Sequence, residues 1–103
     1  MGAVPSADVV VTNPTHYAVA IKYDPKRSNT PIVVAKGMRL IAEHIKEIAT
    51  EHRIVIIEHP PLARSLYKDV EVGNVIHQTH YKIVAEILAF VFHLRKKRKE
   101  RLL

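Results

Sequence analysis

The spacing of apolar and polar residues divides the chain into strand-like and helix-like segments. Residues 8–13 contain three consecutive valines, an unbroken apolar run typical of a strand that is covered on both faces. In residues 17–23 bulky side chains alternate with small or charged ones, the period of two that a strand requires. Further strands are predicted at residues 32–36, where Gly37 ends the run, and at residues 54–58, which are apolar enough to lie centrally in a sheet.

Three helices are predicted from the remaining apolar positions. In residues 38–52 the apolar side chains recur at helical spacing and charged side chains cover the rest of the surface. Pro60 and Pro61 open a short second helix, because proline is favoured in the first turn. The last helix starts near Thr79 and continues into the mid-nineties. It carries two apolar faces, so we expect one face to pack on the sheet and the other to be offered to a further surface. The first face comprises Tyr81, Val84, Leu88 and Val91, and the second comprises Ile83, Ile87, Phe90 and Leu94.

The order strand, strand, strand, helix, strand, helix, helix predicts a mixed α/β fold. We expect a small four-stranded mixed sheet surrounded by about three to four helices. The first two strands are joined by the short turn that begins at Asn13, which favours a hairpin. The predicted domain spans residues 8–94, between a flexible lead-in of residues 1–7 and a basic tail of residues 95–103.

Composition excludes several classes of protein. A chain of 103 residues with 48% hydrophobic residues suits one globular domain. It has no cysteine, which excludes a disulfide framework and a thiolate metal site. No apolar run reaches the length of a membrane-spanning helix, and the amino terminus lacks the pattern of a secretory signal. The seven histidines form no His-Glu-x-x-His pattern, and the three glycines form no phosphate loop, so no metal or other cofactor is predicted.

Most of the net charge of +6 lies in the carboxy-terminal run of residues 95–101. This run holds six basic side chains and one acidic one, so it contributes five of the six net positive charges. A run of this kind on a helix end is most often simply solvated. Its functional interpretation is contact with anionic lipid headgroups. Nucleic acid is not predicted as a partner, because no aromatic residues are interleaved for base stacking.

The tetrapeptide Asn13-Pro14-Thr15-His16 between the first two strands carries the candidate chemistry. Deamidation of asparagine starts with attack by the next backbone nitrogen, and proline closes that route because it has no N–H. The remaining internal reaction is attack of the Asn13 side-chain nitrogen on the main-chain carbonyl of the same residue. It forms a succinimide and expels Pro14 as a new amino terminus. A turn that holds Asn13 ready for attack would supply much of the rate.

An inert turn is the alternative interpretation of this tetrapeptide, because Asn followed by Pro is ordinary turn chemistry. If the bond does break, backbone N–H groups of the turn are candidate donors to the oxyanion. Water or His16 is the candidate proton donor to the nitrogen of Pro14. Holding the turn by hydrogen bonds is an equally good role for His16, and the Thr15 hydroxyl is expected to fix the loop.

Four ordered segments of the chain resemble the FlhB/YscU family, the switch proteins of type III export systems. The segments are residues 7–24, 31–37, 58–67 and 84–89. The first contains the tetrapeptide and continues as Tyr-Ala-Val-Ala-Ile-Lys-Tyr-Asp, which looks flagellar. Minor departures lie at His59, where flagellar members often carry Asn, at Arg53, where glycine is common, and in residues 76–80. None of these departures touches the tetrapeptide.

The resemblance implies a cytoplasmic domain that cleaves itself once, between Asn13 and Pro14, and is not a turnover enzyme. Cleavage would let the flagellar export gate change from rod and hook subunits to filament subunits. The implied partners are the export-gate membrane components, a hook-length-control protein, early export substrates and the transmembrane region that precedes this domain in the family. The implied location is the cytoplasmic face of the bacterial inner membrane, with this chain as an excised soluble part or a short stand-alone paralogue.

Two rival functions stay open, together with the position of the substrate contact. One rival is the injectisome counterpart, which changes needle for effector export. The other is an adaptor that binds membrane or nucleic acid through residues 95–101 and has an inert turn. Candidates for substrate contact are Pro31, at the end of an exposed loop, and Ala85 and Leu88, one turn apart on the last helix. The competing expectation is that Ala85 and Leu88 simply face the sheet.

Overall fold

The structure, a computed structural model, describes the backbone of residues 1–102 and the side chains of residues 1–101. Its strands and helices are β1 (Val9–Asn13), β2 (Tyr17–Lys22), β3 (Ile32–Met38), α1 (Leu40–Glu51), β4 (Val55–Glu58), α2 (Pro60–Asp69) and α3 (Tyr81–Leu102). Two short 3₁₀ turns, Val4–Ser6 and Gln78–His80, precede β1 and α3. The predicted order of elements is therefore confirmed.

The four strands form one mixed sheet in the order β3-β2-β1-β4. β1 pairs with β2 as the predicted antiparallel hairpin, with Asn13 opposite Tyr17, and pairs with β4 in parallel. The prediction that β4 is central is wrong, because it is an edge strand. Its residues are apolar because helices cover both faces of the sheet: Ile54 and Ile56 pack on one side, and Val55 and Ile57 on the other.

Two hydrophobic clusters lie on opposite faces of the sheet, as the run of valines predicts. Val9 and Val11 point towards α2 and α3, whereas Val10 points towards α1, and all three are fully buried. The alternation in β2 is also confirmed, with Val19 on the first face and Ala18 on the second. Small side chains on the α1 face allow that helix to approach the sheet closely.

Gly37 lies inside β3 and does not end the strand as predicted. A Cβ at this position would stand 2.8 Å from Cβ of Ile41, at the start of α1. Real Cβ atoms do not approach so closely, so glycine here permits α1 to fold back directly onto the strand.

The turn between α1 and β4 holds a non-glycine residue in a left-handed conformation. Arg53 has φ = 56°, in the region that glycine adopts without steric cost and other residues adopt rarely. The N–H groups of Arg53 and Ile54 donate to the main-chain oxygens of Thr50 and Ala49 at 3.2 and 2.8 Å, which closes the end of the helix.

His59, another departure from the family pattern, caps α2. Its Nδ1 accepts the N–H of Leu62 at 3.2 Å.

The two ends of the chain are more ordered than the sequence predicts. Residues 1–7 were expected to form a flexible lead-in, but Val4 and Ala7 are buried in the cluster beneath α1. At the other end, α3 continues through the basic run to Leu102. Leu103 of the predicted tail lies outside the described residues. Val84, Leu88 and Val91 of the first predicted face of α3 are buried, but Tyr81 of that face is exposed. The second face is largely exposed.

Within residues 1–102, none of the helices combines the length and the hydrophobicity that crossing a bilayer requires.

Candidate functional site

The tetrapeptide forms the exposed turn of the β1–β2 hairpin. Asn13 is the last residue of β1 and is half-buried, whereas Pro14, Thr15 and His16 are exposed. The sequence folds this way because β1 and β2 are anchored by buried side chains up to the turn, and proline cannot continue the ladder. The Asn13–Pro14 bond therefore lies where a rigid strand meets a short solvent-exposed connection.

A backbone hydrogen bond points at the carbonyl that the reaction would attack. The N–H of His16 donates to the main-chain oxygen of Asn13 at 2.9 Å, closing a four-residue turn. Negative charge would develop on this oxygen when the side-chain nitrogen of Asn13 adds to the carbonyl carbon. A donor held in place before the reaction stabilises that charge without rearrangement. The turn backbone thus supplies a hydrogen-bond donor to the oxygen on which the predicted reaction would develop charge.

The side chains of Thr15 and His16 bind each other and not the scissile bond. Oγ1 of Thr15 lies 2.7 Å from Nδ1 of His16, and both residues are exposed. This contact is compatible with the expectation that Thr15 fixes the loop, and the roles of Thr15 and His16 stay predictions. The proton that Pro14 needs on departure is available from solvent, because Pro14 is exposed.

Residues distant in sequence also hold the turn, and sequence reasoning missed them. The N–H of Arg39 donates to the oxygen of His16 at 2.9 Å, and Nζ of Lys46 lies 3.4 Å from the oxygen of Pro14. Lys46 also pairs with Glu43 at 2.7 Å on the same helix. No local signal could have identified these contacts, because they depend on how α1 packs beside the hairpin.

A second group of contacts anchors the strand that follows the turn. The ring of Tyr17 lies 4.7 Å from that of Tyr67 on α2. Nζ of Lys36 donates to the main-chain oxygen of Tyr67 at 2.8 Å and lies 5.1 Å from the centre of its ring. This packing ties the downstream side of the turn to α2.

The first residues of β1 are held by an ion pair to the last helix. Oδ1 of Asp8 lies 2.9 Å from Nη1 of Arg95, and Oδ2 accepts the N–H of Tyr23 at 2.6 Å. The side chain of Asp8 is only 12% exposed, whereas that of Arg95 is 51% exposed. Residues 1–13 would therefore keep polar as well as apolar contacts with the rest of the domain after a cut at Asn13.

The three residues predicted for substrate contact line one open apolar pocket of about 400 Å³. Pro31 stands on one side, and Ala85 and Leu88 stand on the other. Leu88 is buried in the core beneath the pocket, whereas Ala85 is exposed, so the competing expectation holds for Leu88 only. The remaining lining residues are Tyr23, Asn29, Thr30, Ile76, Tyr81, Ala89 and Phe92. Their role in binding stays a prediction.

The histidines of the described residues form no group with acidic side chains that could hold a metal ion. His80 is buried between the end of α2 and the start of α3, and Nε2 lies 3.5 Å from Oδ2 of Asp69. Burial lowers the pKa of His80 below its ordinary value of 6.5, although the Asp69 carboxylate acts in the opposite direction. The ring of His77, 5.8 Å away, adds to the lowering.

Comparison with known sequences identifies similar proteins over almost the whole chain. The FlhB HrpN YscU SpaS family matches residues 1–91. The flagellar biosynthetic protein FlhB of Salmonella typhimurium is 53% identical over 98 residues, which cover 95% of this chain and 26% of that protein. FlhB of Bacillus subtilis is 46% identical over 97 residues, covering 94% and 27%. The chain thus spans about a quarter of the length of these curated relatives.

Solved structures show the same fold. The crystal structure of the cytoplasmic domain of FlhB from Shewanella putrefaciens has a TM-score of 0.90 at 47% identity, covering 97% of this chain and 77% of that one. The crystal structure of a mutated EscU C-terminal domain has a TM-score of 0.84 at 31% identity, covering 87% and 96%. The predicted mixed α/β fold, with four strands in a mixed sheet and surrounding helices, is confirmed by these likenesses.

Proposed function

Because the chain belongs to the FlhB HrpN YscU SpaS family, we propose that it is the self-cleaving switch domain of a flagellar type III protein-export apparatus. The observation that carries the proposal is the hydrogen bond from the His16 N–H to the carbonyl of Asn13, in a turn whose next residue is Pro14. This hydrogen bond supplies a donor to the oxygen that would become negatively charged in the reaction. Because Pro14 has no N–H, Asn13 cannot deamidate by the usual route.

The chemistry is intramolecular and occurs once per chain. The side-chain nitrogen of Asn13 adds to the main-chain carbonyl carbon of Asn13, and the bond to the nitrogen of Pro14 breaks. The attacking nitrogen of Asn13 gives up one proton to water, water protonates the departing nitrogen of Pro14, and the succinimide on Asn13 hydrolyses later. The contacts from Arg39 and Lys46 to the turn restrict its conformations, which favours the geometry of attack. The domain is therefore a switch that acts on itself, and not a turnover enzyme.

We propose that the switch changes export from rod and hook subunits to filament subunits, at the cytoplasmic face of the inner membrane. Its partners in this role are the export-gate membrane components and a hook-length-control protein. The flagellar branch is favoured over the injectisome branch because the relatives that match at about half identity are flagellar biosynthetic proteins. Early export substrates are proposed to contact the apolar pocket of Pro31, Ala85 and Leu88, which lies apart from the turn.

Mass spectrometry of the purified, denatured chain tests self-cleavage directly. We expect the wild-type chain to yield two polypeptides, residues 1–13 and residues 14–103, after incubation at neutral pH. Asn13→Ala should stay a single chain, because alanine has no side-chain nucleophile. Asn29→Ala, in an exposed loop, is the matched control and should cleave like the wild type. A wild-type chain that stays whole would favour the adaptor with an inert turn.

A further inference from the structure

The two edges of the sheet differ in how they are covered. The outer edge of β3 is hydrogen-bonded to the segment before α3: Gly73 N–H donates to Val33 at 2.7 Å, and Val33 N–H donates to Asn74 at 3.0 Å. β4 forms the other edge and, within residues 1–102, pairs with β1 alone. An uncovered edge strand presents backbone donors and acceptors that another strand can use.

The uncovered edge of β4 lies in a groove of about 1130 Å³. Val55 and Ile56, the first two residues of β4, line the groove together with Ile54, which precedes the strand. The end of α1 and the following turn form one wall, and the last turns of α3 form the other. The basic wall residues are Arg53 on the first side and Lys97, Arg98 and Arg101 on the second. The groove thus combines an apolar strand edge with cationic walls.

Among the described residues that line the groove, four basic side chains have no acidic partner in the lining: Arg53, Lys97, Arg98 and Arg101. The single carboxylate in the lining belongs to Asp8, which already pairs with Arg95 at 2.9 Å. Like charges brought from two separate elements to one groove repel each other, and an anion placed between them removes that repulsion. The walls therefore select for a negatively charged occupant.

Arg53 stands in this wall with a backbone conformation that is unusual for a residue other than glycine. Its backbone has φ = 56°, a conformation at a helix end that glycine adopts without steric cost. Strained residues of this kind cluster at binding and switch sites. In this turn the strained position places a guanidinium in the wall of the groove.

We propose that the groove along β4 binds an extended acidic segment of a partner protein, which adds to the sheet as a further strand beside β4. Main-chain hydrogen bonds to the edge would supply affinity, and alternate side chains would supply specificity. Val55 and Ile57 point to the α3 side of the sheet, so alternate residues of the added strand would also lie on that side. Acidic residues at every second position would then face the cations of α3, and the guanidinium of Arg53 in the opposite wall would attract the same acidic segment across the groove. An anionic lipid would use the charges but not the strand edge.

A fluorescent peptide of about ten residues in which glutamate and valine alternate is the probe, because strand addition predicts this period. We expect binding to the full chain by fluorescence anisotropy, weakened by added salt. The double substitution Arg53→Glu with Arg98→Glu should weaken binding by about tenfold or more. The control is the double variant Lys96→Glu with Lys99→Glu, which changes the net charge of the chain by the same amount. Both of its substitutions lie on α3 outside the groove, so it should bind the peptide like the wild type.

Arg53→Gly separates loss of binding from loss of folding. Glycine relieves the backbone strain, so this variant should have a higher midpoint of thermal unfolding while binding the peptide more weakly. The proposal does not depend on self-cleavage, so Asn13→Ala should bind the peptide as the wild type does.

Backbone methylation of the peptide tests strand addition itself. Successive N–H groups of a strand point to opposite edges, so in this peptide either the glutamate or the valine N–H groups would donate to β4. One peptide is therefore methylated on all glutamate nitrogens and a second on all valine nitrogens. Only one of the two should lose binding. Equal binding by both methylated peptides, or equal loss in the two double variants, would show a charge effect alone and overturn the proposal. So would absence of peptide binding together with Arg53-dependent binding to phosphatidylglycerol vesicles, which would make the groove a lipid site.

Discussion

At the residue scale, the proposed self-cleavage depends on one asparagine, Asn13, whose neighbours restrict the reactions open to it. Pro14 removes the nitrogen that would deamidate Asn13, and the His16 N–H donates to the Asn13 carbonyl at 2.9 Å. The first of these facts is local in sequence. The second requires the hairpin, since it depends on β1 and β2 being held in register on both sides of the turn.

His80 makes the stability of the domain depend on pH. Its pKa is lowered in the folded state by burial, so the unfolded chain takes up a proton first as the pH falls below about 6.5. The protonation of His80 should therefore lower the stability of the folded state as the pH falls through about 6.5 towards the lowered pKa of the folded state, and it should have no effect at higher pH. The free energy of unfolding, measured with urea at several pH values, should depend less steeply on pH in the variant His80→Gln than in the wild type. A dependence that this variant leaves unchanged would contradict the assignment to His80.

At the element scale, the approach of α1 to β3 depends on the missing side chain of Gly37. Gly37→Ala would push a Cβ to 2.8 Å from that of Ile41. We expect a loss of about 1–3 kcal/mol in the free energy of unfolding, as for other overpacked sites. Gly2→Ala, with no atom within 4 Å of the added Cβ, should be nearly neutral. Because Ile41 is 52% exposed, Gly37→Ala combined with Ile41→Ala should recover part of the loss.

The pocket between the loop at Pro31 and α3 is the proposed contact site for early export substrates. Ala85→Asp would place a charge in an apolar pocket, so binding of rod and hook subunits should weaken by about tenfold or more. Ala85 is exposed, so the fold should be retained. Lys82→Asp is the control, because it adds an acid on the same helix outside the pocket. Equal affinities of the two variants, measured by calorimetry with a purified hook subunit, would exclude this pocket as the contact.

At the scale of the whole molecule, a cut at Asn13 would leave one domain made of two chains. Val9, Val10 and Val11 are fully buried, and each such side chain contributes about 1.5–3 kcal/mol. The ion pair from Asp8 to Arg95 adds a contact to α3. Cleavage would therefore free the turn without releasing the strand.

Retention of the first strand is measurable by unfolding at several protein concentrations. The unfolding midpoint of the cleaved protein should rise with protein concentration, because its two chains associate on folding. The unfolding midpoint of the single-chain variant Asn13→Ala should not depend on concentration. Asp8→Asn should weaken the binding of residues 1–13 to the rest of the domain by about 1 kcal/mol. The effect is small because Arg95, the ion-pair partner of Asp8, is half-exposed. Asp24→Asn removes an ion pair in which Arg27 is 80% exposed and should have little effect. Release of residues 1–13 in native buffer would contradict the two-chain domain.

The sequence by itself determined what local chemistry and periodicity decide. The Asn13–Pro14 turn, the strand of valines with both faces covered and the small-residue face of β2 could all be predicted, because each depends on neighbouring residues or on a period of two. Only the tertiary structure decided that β4 lies at an edge, that Lys46 reaches the turn, and that Pro31 and Ala85 share a pocket. Those outcomes depend on the order of strands and on helix packing, which join residues far apart in the chain. Apolarity shows that a strand is covered, but it does not show whether helices or neighbouring strands cover it.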